Sequence, residues 1–284
     1  MSRCILLILC LLTTGLARAA TDNPNNIWLS YSQDNNDTSA AAILLTLGVT
    51  KDDQLLFGYG QNDTEYSAQS LSTNDYSFTY STLRLYPWGL DLGYDYWGKD
   101  QELVIKTFSA TPTWYGKYWS LGLQLEHRTI TFYSRQFVSG QRSWDVDSDG
   151  FGPAIGLVVG NWSWSLTGMI YDYSRNISLN STEFPKLNLV RVLRLLGADT
   201  YLHATTLTDW YATTQLKYDF KKYALGAKYS HSISALDQQA TDSVSALLDI
   251  DLSKTISLDL EAGRVYAPND LTSDFASAGL SIDF

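Results

Sequence analysis

Ionisable side chains recur at alternate positions in several segments of the chain. Successive residues of a β-strand point to opposite faces, so these side chains would share one face of a sheet. The acids are Asp91, Asp95, Glu126, Asp249, Asp251, Asp259 and Glu261, and the bases are Arg128, Lys217, Lys228 and, by the same reasoning, Lys106. Such a face either attracts cations or is braced by internal ion pairs, and both interpretations stay open.

Hydrolytic chemistry would need a histidine that serves as base to a nucleophile. The chain has three histidines, at positions 127, 203 and 231. His231 and Ser232 are the one pair that merits a test, but adjacent residues of a strand point to opposite faces. A hydrolase is therefore the alternative hypothesis, and the sequence indicates no metal site and no cofactor.

The segments that carry these residues alternate between apolar and polar positions, a pattern typical of β-strands. They are joined alternately by short turns and by long polar connections. The short turns fall at 50–53, 87–89, 115–117, 160–161, 221–222 and 253–254, and the long connections at 33–39, 62–75, 98–101, 134–150, 174–208, 235–241 and 267–271. Counting segments predicts about 14 antiparallel strands in an up-and-down meander, with 12 or 16 as alternatives.

The polarity of the two faces indicates a membrane barrel. Apolar residues make up 45% of the chain, but after the N-terminal segment the longest apolar run is only 40–45. A spanning helix needs about 20 apolar residues. One face of each strand is apolar and the other carries Gly, Ser, Thr and charges, which would make a poor dry core. We therefore predict an all-β transmembrane barrel with lipid outside and a polar lumen inside.

Aromatic residues cluster near the turns rather than spreading along the strands. One set flanks the short turns, as at Trp114, Trp119 and Trp162. A second set lies toward the long connections and comprises Tyr59, Tyr76, Tyr96, Trp97, Phe132, Tyr133, Tyr171, Tyr173 and Trp210. We expect the two sets to form girdles at the two membrane interfaces.

Two short stretches depart from the simple alternation. A bulge near Ser81 and Thr82 would reconcile the apolar positions on its two sides and turn Arg84 inward. Arg264 falls on the outward parity, near a long connection, where its side chain could reach lipid headgroups.

Residues 1–19 read as a secretory signal peptide. Arg3 precedes an apolar stretch, and small residues at 17 and 19 form a cleavage site. Residues 20–284 would then be a single domain without cysteine, and it would need no disulfide. Loss of the signal's two arginines leaves 18 basic against 30 acidic residues, so the net charge falls from −10 to −12. This acidic balance argues against nucleic acid as a partner.

The connection 174–208 is unusually long, since ordered loops beyond about 15 residues are usually functional or disordered. Pro185 and Gly197 bracket a short predicted helix that carries Arg191 and Arg194. The helix could fold into the lumen and form a constriction. It could instead lie outside against lipopolysaccharide phosphates, or the segment could form a further hairpin of a 16-stranded barrel.

The C-terminal segment places Ala278, Leu280, Ile282 and the terminal Phe284 at alternate positions. This segment resembles the assembly signal of Gram-negative outer-membrane β-barrel proteins. The resemblance implies export to the bacterial outer membrane, insertion by the barrel-assembly machinery, and contact with outer-membrane lipid and lipopolysaccharide. In size the chain is similar to monomeric 14-stranded porins, which is a similarity of architecture.

Together these observations predict a monomeric outer-membrane channel for passive diffusion of small hydrophilic solutes. About 14 strands leave a wider lumen than the side-chain-filled interior of eight strands. The acidic face predicts a modest preference for cations. The alternatives are a barrel enzyme that acts on lipid or lipopolysaccharide, and a plugged structural or export barrel.

Overall fold

The computed structural model describes residues 25–35, 38–66, 69–99, 102–136, 140–178, 207–268 and 271–284. The predicted signal peptide 1–19 lies outside the described residues. So do His203, the predicted helix 186–196, and its Arg191 and Arg194. The three alternatives for that connection stay predictions.

Fourteen antiparallel strands form one closed barrel in which each strand pairs with its sequence neighbours and the first pairs with the last. They are β1 Asn26–Asp34, β2 Thr38–Gly48, β3 Asp53–Tyr66, β4 Gln69–Leu85, β5 Trp88–Lys99, β6 Leu103–Tyr115, β7 Trp119–Gln136, β8 Gly140–Val159, β9 Trp162–Tyr173, β10 Thr208–Asp219, β11 Tyr223–Ser234, β12 Ala240–Asp251, β13 Ile256–Ala267 and β14 Leu271–Asp283. The predicted 14-stranded up-and-down barrel is confirmed. Within the described part of the chain, no helix is long and apolar enough to cross a membrane.

Strand β7 shows why the sequence folds in this way. Leu121, Leu123 and Leu125 are exposed on the outside, whereas Ser120 and Gln124 are buried on the inside. Exposed leucines cover the wall that lipid would contact, and the polar residues between them face the interior. The outward-apolar, inward-polar assignment therefore holds for this strand.

Two of the long polar connections are in fact strand. The segments predicted as loops 62–75 and 134–150 continue as hairpins, in which β3 pairs with β4 as far as Tyr66 with Gln69. The pairing of β7 with β8 continues to Gln136 and Gly140. The polar composition of these segments concealed their strand character, because outward positions beyond the lipid band have no need of apolar side chains.

The barrel closes where β1 meets β14. Ile282, Leu280 and Ala278 pair with Ile27, Leu29 and Tyr31 in one outward-facing apolar band. The backbone N–H of Phe284 donates to the carbonyl of Asn25 at 3.1 Å. The predicted assembly residues therefore form part of the closing strand pair, and their recognition by the assembly machinery stays a prediction.

The predicted bulge exists, but it lies slightly later and does not turn Arg84 inward. The register of β4 against β5 shifts between Thr82 and Leu85. Arg84 stays on the outer face and pairs with Asp53, which also accepts hydrogen bonds from Tyr80 at 3.0 Å and Thr82 at 2.7 Å. The ion pair with Asp53 holds the guanidinium at the base of the hairpin, so the inward prediction for Arg84 is wrong.

Candidate functional site

The inward face of β10–β13 carries two ion pairs that each reach across one intervening strand. Lys217 Nζ lies 2.6 Å from Asp249 Oδ2, and Lys228 Nζ lies 2.6 Å from Glu261 Oε1. Ser245 donates a further hydrogen bond to Glu261 at 2.6 Å. Such contacts require that the side chains share the interior face. Of the two interpretations of the acidic face, bracing by ion pairs describes these four residues.

Asp259 and Asp251 lie on the same wall without a base of their own. Asp259 accepts a hydrogen bond from the indole N–H of Trp28 at 3.3 Å. Asp251 is exposed near the short-turn end of β12. Within the described residues, neither carboxylate forms an ion pair with a lysine, arginine or histidine. This wall thus combines balanced and unbalanced carboxylates.

A second cluster surrounds Arg128. Its Nε and Nη2 donate to Glu126 Oε2 at 3.0 and 2.7 Å, since residues two apart on a strand share a face. The guanidinium lies 4.0 Å from the ring centre of Tyr171 and also contacts its hydroxyl. The Tyr171 hydroxyl donates to Glu126 at 2.9 Å. Arg128 therefore completes an internally balanced, buried group.

Glycine at position 150 makes room for that cluster. Gly150 pairs with Tyr171 across β8 and β9, and its missing side chain leaves space for the tyrosine ring. A Cβ at this position would lie 2.4 Å from Tyr171 Cε1. The glycine therefore positions the aromatic ring that covers Arg128.

The wall formed by β4 and β5 carries acids that form no ion pair among the described residues, although Arg128 of β7 lies opposite Thr107 in the row of Asp95. Asp91 and Asp95 face inward as predicted, and Asp75 joins them because its register partner is Trp97 of β5, one inward position beyond the pair formed by Ser77 and Asp95. No lysine, arginine or histidine of the described residues forms an ion pair with these three. Asp75 was missed because it fell in a segment predicted as loop, although the outward parity of Tyr76 and Phe78 already indicated its direction.

Lys106 does not join the lumen. It pairs with the outward-facing Tyr96 and is exposed on the outer face of the barrel. The inward prediction is wrong because the apolar run that precedes Lys106 made the parity of β6 ambiguous. Arg264 is outward as predicted, and it forms two hydrogen bonds with Asp274 at 2.6 and 2.9 Å.

An apolar cluster occupies the interior near the long-connection end of β5–β9, and the sequence did not indicate it. Its fully buried members are Leu103, Ile105, Ile130, Phe132, Val146, Ile177, Leu207 and Ala235, with Trp97, Trp144, Tyr173 and Leu236 packed against them. The predicted outer girdle therefore divides. Tyr59, Tyr76 and Trp210 are exposed on the outside, whereas Phe132 and Tyr171 are buried inside.

The two described histidines lie on the outer face, each beside an aspartate of the next strand. His127 Nδ1 is 2.8 Å from Asp149 Oδ1, and His231 Nδ1 is 2.8 Å from Asp242 Oδ1. Ser232 is buried on the interior face. The structure therefore does not bring together the His231–Ser232 pair that a hydrolase would need.

No protein-family model matches the chain, and no curated protein matches it by sequence. Among solved structures, the "CymD monoaromatic hydrocarbon channel" is similar with a TM-score of 0.60 at 9% identity, over 93% of this chain and 89% of that one. A loop L8 deletion mutant of OmpT, an outer membrane protein of Vibrio cholerae, is similar with a TM-score of 0.51 at 8% identity, over 93% and 98%. The chain therefore has the fold of outer-membrane β-barrel proteins.

Proposed function

We propose that the protein is a monomeric channel of the bacterial outer membrane for passive diffusion of small hydrophilic solutes, with a modest preference for cations. The fold supports a path across the membrane, because a barrel of this size leaves a lumen lined by inward-facing polar residues. Contact with lipopolysaccharide and cleavage of the signal peptide stay predictions.

The observation that carries the cation preference is the imbalance of inward charges. Arg128, Lys217 and Lys228 each lie within 2.7 Å of a carboxylate oxygen. Asp91 and Asp95 have no ion-pair partner among the described residues. Rings or columns of carboxylates favour cations in an aqueous pore, because the surrounding protein focuses their field on the permeating ion.

The test is the conductance of single refolded barrels in a planar bilayer under a salt gradient. We expect discrete open steps and a reversal potential shifted toward cations. The double variant Asp91→Asn, Asp95→Asn should move that potential toward zero. Asp172→Asn is the control, because it removes one carboxylate charge from an exposed position on the outer face of β9. Equal selectivity of all three proteins would contradict the assignment.

A closed structural barrel is the second candidate, and the apolar cluster at the long-connection end favours it. Ile130 and Val146 are completely buried there, and Phe132 is almost so. Packed apolar side chains in a lumen exclude water and oppose ion passage. A folded barrel whose electrophoretic mobility shifts on heating, but which shows no open steps, would support this candidate over the channel.

A further inference from the structure

Nine inward-facing residues of β4, β5 and β6 form a continuous polar surface of hydroxyl and carboxylate side chains around one glycine. We call it the hydroxyl–carboxylate patch. Its three rows are Ser77, Asp95 and Thr107, then Thr79, Gly93 and Ser109, then Ser81, Asp91 and Thr111. These nine residues comprise two carboxylates, six hydroxyls and one glycine, and the adjoining Arg128 of β7, opposite Thr107, has its charge balanced by Glu126.

Gly93 lies at the centre of the patch. Because it has no side chain, it projects nothing into the lumen between the two carboxylates. A Cβ at Gly93 would lie 2.3 Å from the hydroxyl oxygen of Ser109 and 3.6 Å from that of Thr79. The Ser109 hydroxyl thus occupies the position where a side chain would otherwise stand, and the Thr79 hydroxyl lies at ordinary contact distance from it. Asp91 and Asp95 are four residues apart on one strand, so their Cα atoms are separated by about 13 Å.

An unsatisfied acceptor of β7 borders the patch. Gln124 is inward-facing and 5% exposed, and within the described residues its side-chain oxygen has no hydrogen-bond partner. Its neighbours on β7 pair with β6 so that Gln124 comes opposite Thr111, in the row of Asp91. A buried acceptor without a donor is costly, and a ligand that carries N–H groups would satisfy it.

The spacing decides between a metal ion and an extended cation. No group of three histidine, cysteine, aspartate or glutamate side chains suited to a metal ion occurs within the described residues. Two carboxylates about 13 Å apart are too distant to ligate a single ion. They suit two positive charges joined by a linear chain that lies over the hydroxyls.

We propose that the hydroxyl–carboxylate patch binds linear cations with an ammonium group at each end. One ammonium pairs with Asp91 and the other with Asp95, while amine N–H groups along the chain donate to the hydroxyls and to Gln124. Carboxylate–ammonium hydrogen bonds are the strong, charge-assisted kind. This inference rests on the proposed channel, because it names a class of solute that such a lumen would favour.

The test measures spermidine binding by calorimetry to the refolded full-length barrel in detergent. We expect spermidine to bind more tightly than putrescine, whose two amines are closer together. Asp91→Asn and Asp95→Asn should each weaken spermidine binding by about tenfold, and the double variant by more. Asp172→Asn should bind as the unaltered protein does, and Gln124→Leu should weaken binding about threefold.

The result separates this inference from the channel itself, because calorimetry does not depend on conduction. Suppose that the barrel shows no open steps but binds spermidine, and that the two carboxylate variants abolish this binding. This result would contradict the channel and support the patch. Open steps with spermidine affinity unchanged in the double variant would overturn the patch and leave the channel intact. Far-ultraviolet circular dichroism and the heat-dependent shift in mobility check that each variant is folded.

Discussion

The walls formed by β10–β13 and by β4–β6 both carry inward carboxylates, but they balance them differently. On the first wall, Lys217 and Lys228 each reach across one strand to an acid. On the second wall, Asp91 and Asp95 are surrounded by serine and threonine hydroxyls. An inward acid of these walls thus forms an ion pair only where a base two strands away is not already held by another carboxylate, as Arg128 in the row of Asp95 is held by Glu126.

The largest expected effect comes from the Lys228–Glu261 ion pair of the wall formed by β10–β13. The Lys228 and Glu261 side chains are only 8% and 10% exposed. Lys228→Met would leave the glutamate buried without its base, which we expect to lower the free energy of unfolding by about 3–5 kcal/mol. Urea unfolding in lipid vesicles, followed by tryptophan fluorescence, measures this change.

Asp91→Asn is the counterpart on the wall formed by β4–β6. No opposite charge is left behind, so stability should change by less than about 0.5 kcal/mol. Equal losses in Lys228→Met and Asp91→Asn would show that the two walls do not differ in the way described.

The Arg128 cluster lies between the two walls. We expect the loss of one of its hydrogen bonds to lower the free energy of unfolding by an intermediate amount. Tyr171→Phe deletes the hydroxyl that donates to Glu126 at 2.9 Å. Hydrogen bonds to charged groups contribute about 1.5–3 kcal/mol, and we expect a loss of that size in the same unfolding measurement.

Tyr229→Phe is the matched control for Tyr171. Tyr229 also donates to a carboxylate, that of Asp242, but on the outer face, where Asp242 keeps a second contact with His231. We expect the control to lose less than half as much stability. A larger loss of stability in Tyr229→Phe than in Tyr171→Phe would contradict the conclusion that the buried Arg128 cluster stabilises the barrel.

The smallest expected effect is on ion selectivity. Lys217→Met removes the base from Asp249, whose side chain is 31% exposed. The freed carboxylate should shift the reversal potential further toward cations in the planar bilayer. Lys217→Met combined with Asp249→Asn should return it to the original value. An unchanged reversal potential in Lys217→Met would show that Asp249 does not face the permeating ions.

The strand number and the polarity of the wall could be predicted because both follow from alternation within short segments. Leu121, Leu123 and Leu125 reveal the outer face of β7 without any knowledge of its neighbours. The charged residues of β10–β13 were placed inside for the same reason. Their pairing, however, depends on register across three strands, which local patterns do not contain.

The wrong prediction for Lys106 has its physical origin in the apolar cluster inside the barrel. Leu103 and Ile105 face this cluster, so both faces of β6 begin with apolar residues. The contrast between an apolar and a polar face is therefore missing at the start of β6, and the sequence does not indicate that Lys106 lies outside. Phe132 belongs to this cluster and Tyr171 packs on Arg128, and both were expected in a girdle because the sequence does not distinguish an interior aromatic ring from an interfacial one.

The pairing of β1 with β14 joins the two ends of the sheet, so the last step of folding involves the whole barrel. Until β14 is in place, β1 and β13 each present an open edge that can pair with another chain. Every hairpin formed earlier therefore leaves the molecule exposed to aggregation. Once closed, the barrel would keep all its strand pairs after proteolytic cleavage of an outer connection. Loss of β14 would break its pairings with β1 and β13 and would restore the two open edges that closure removes.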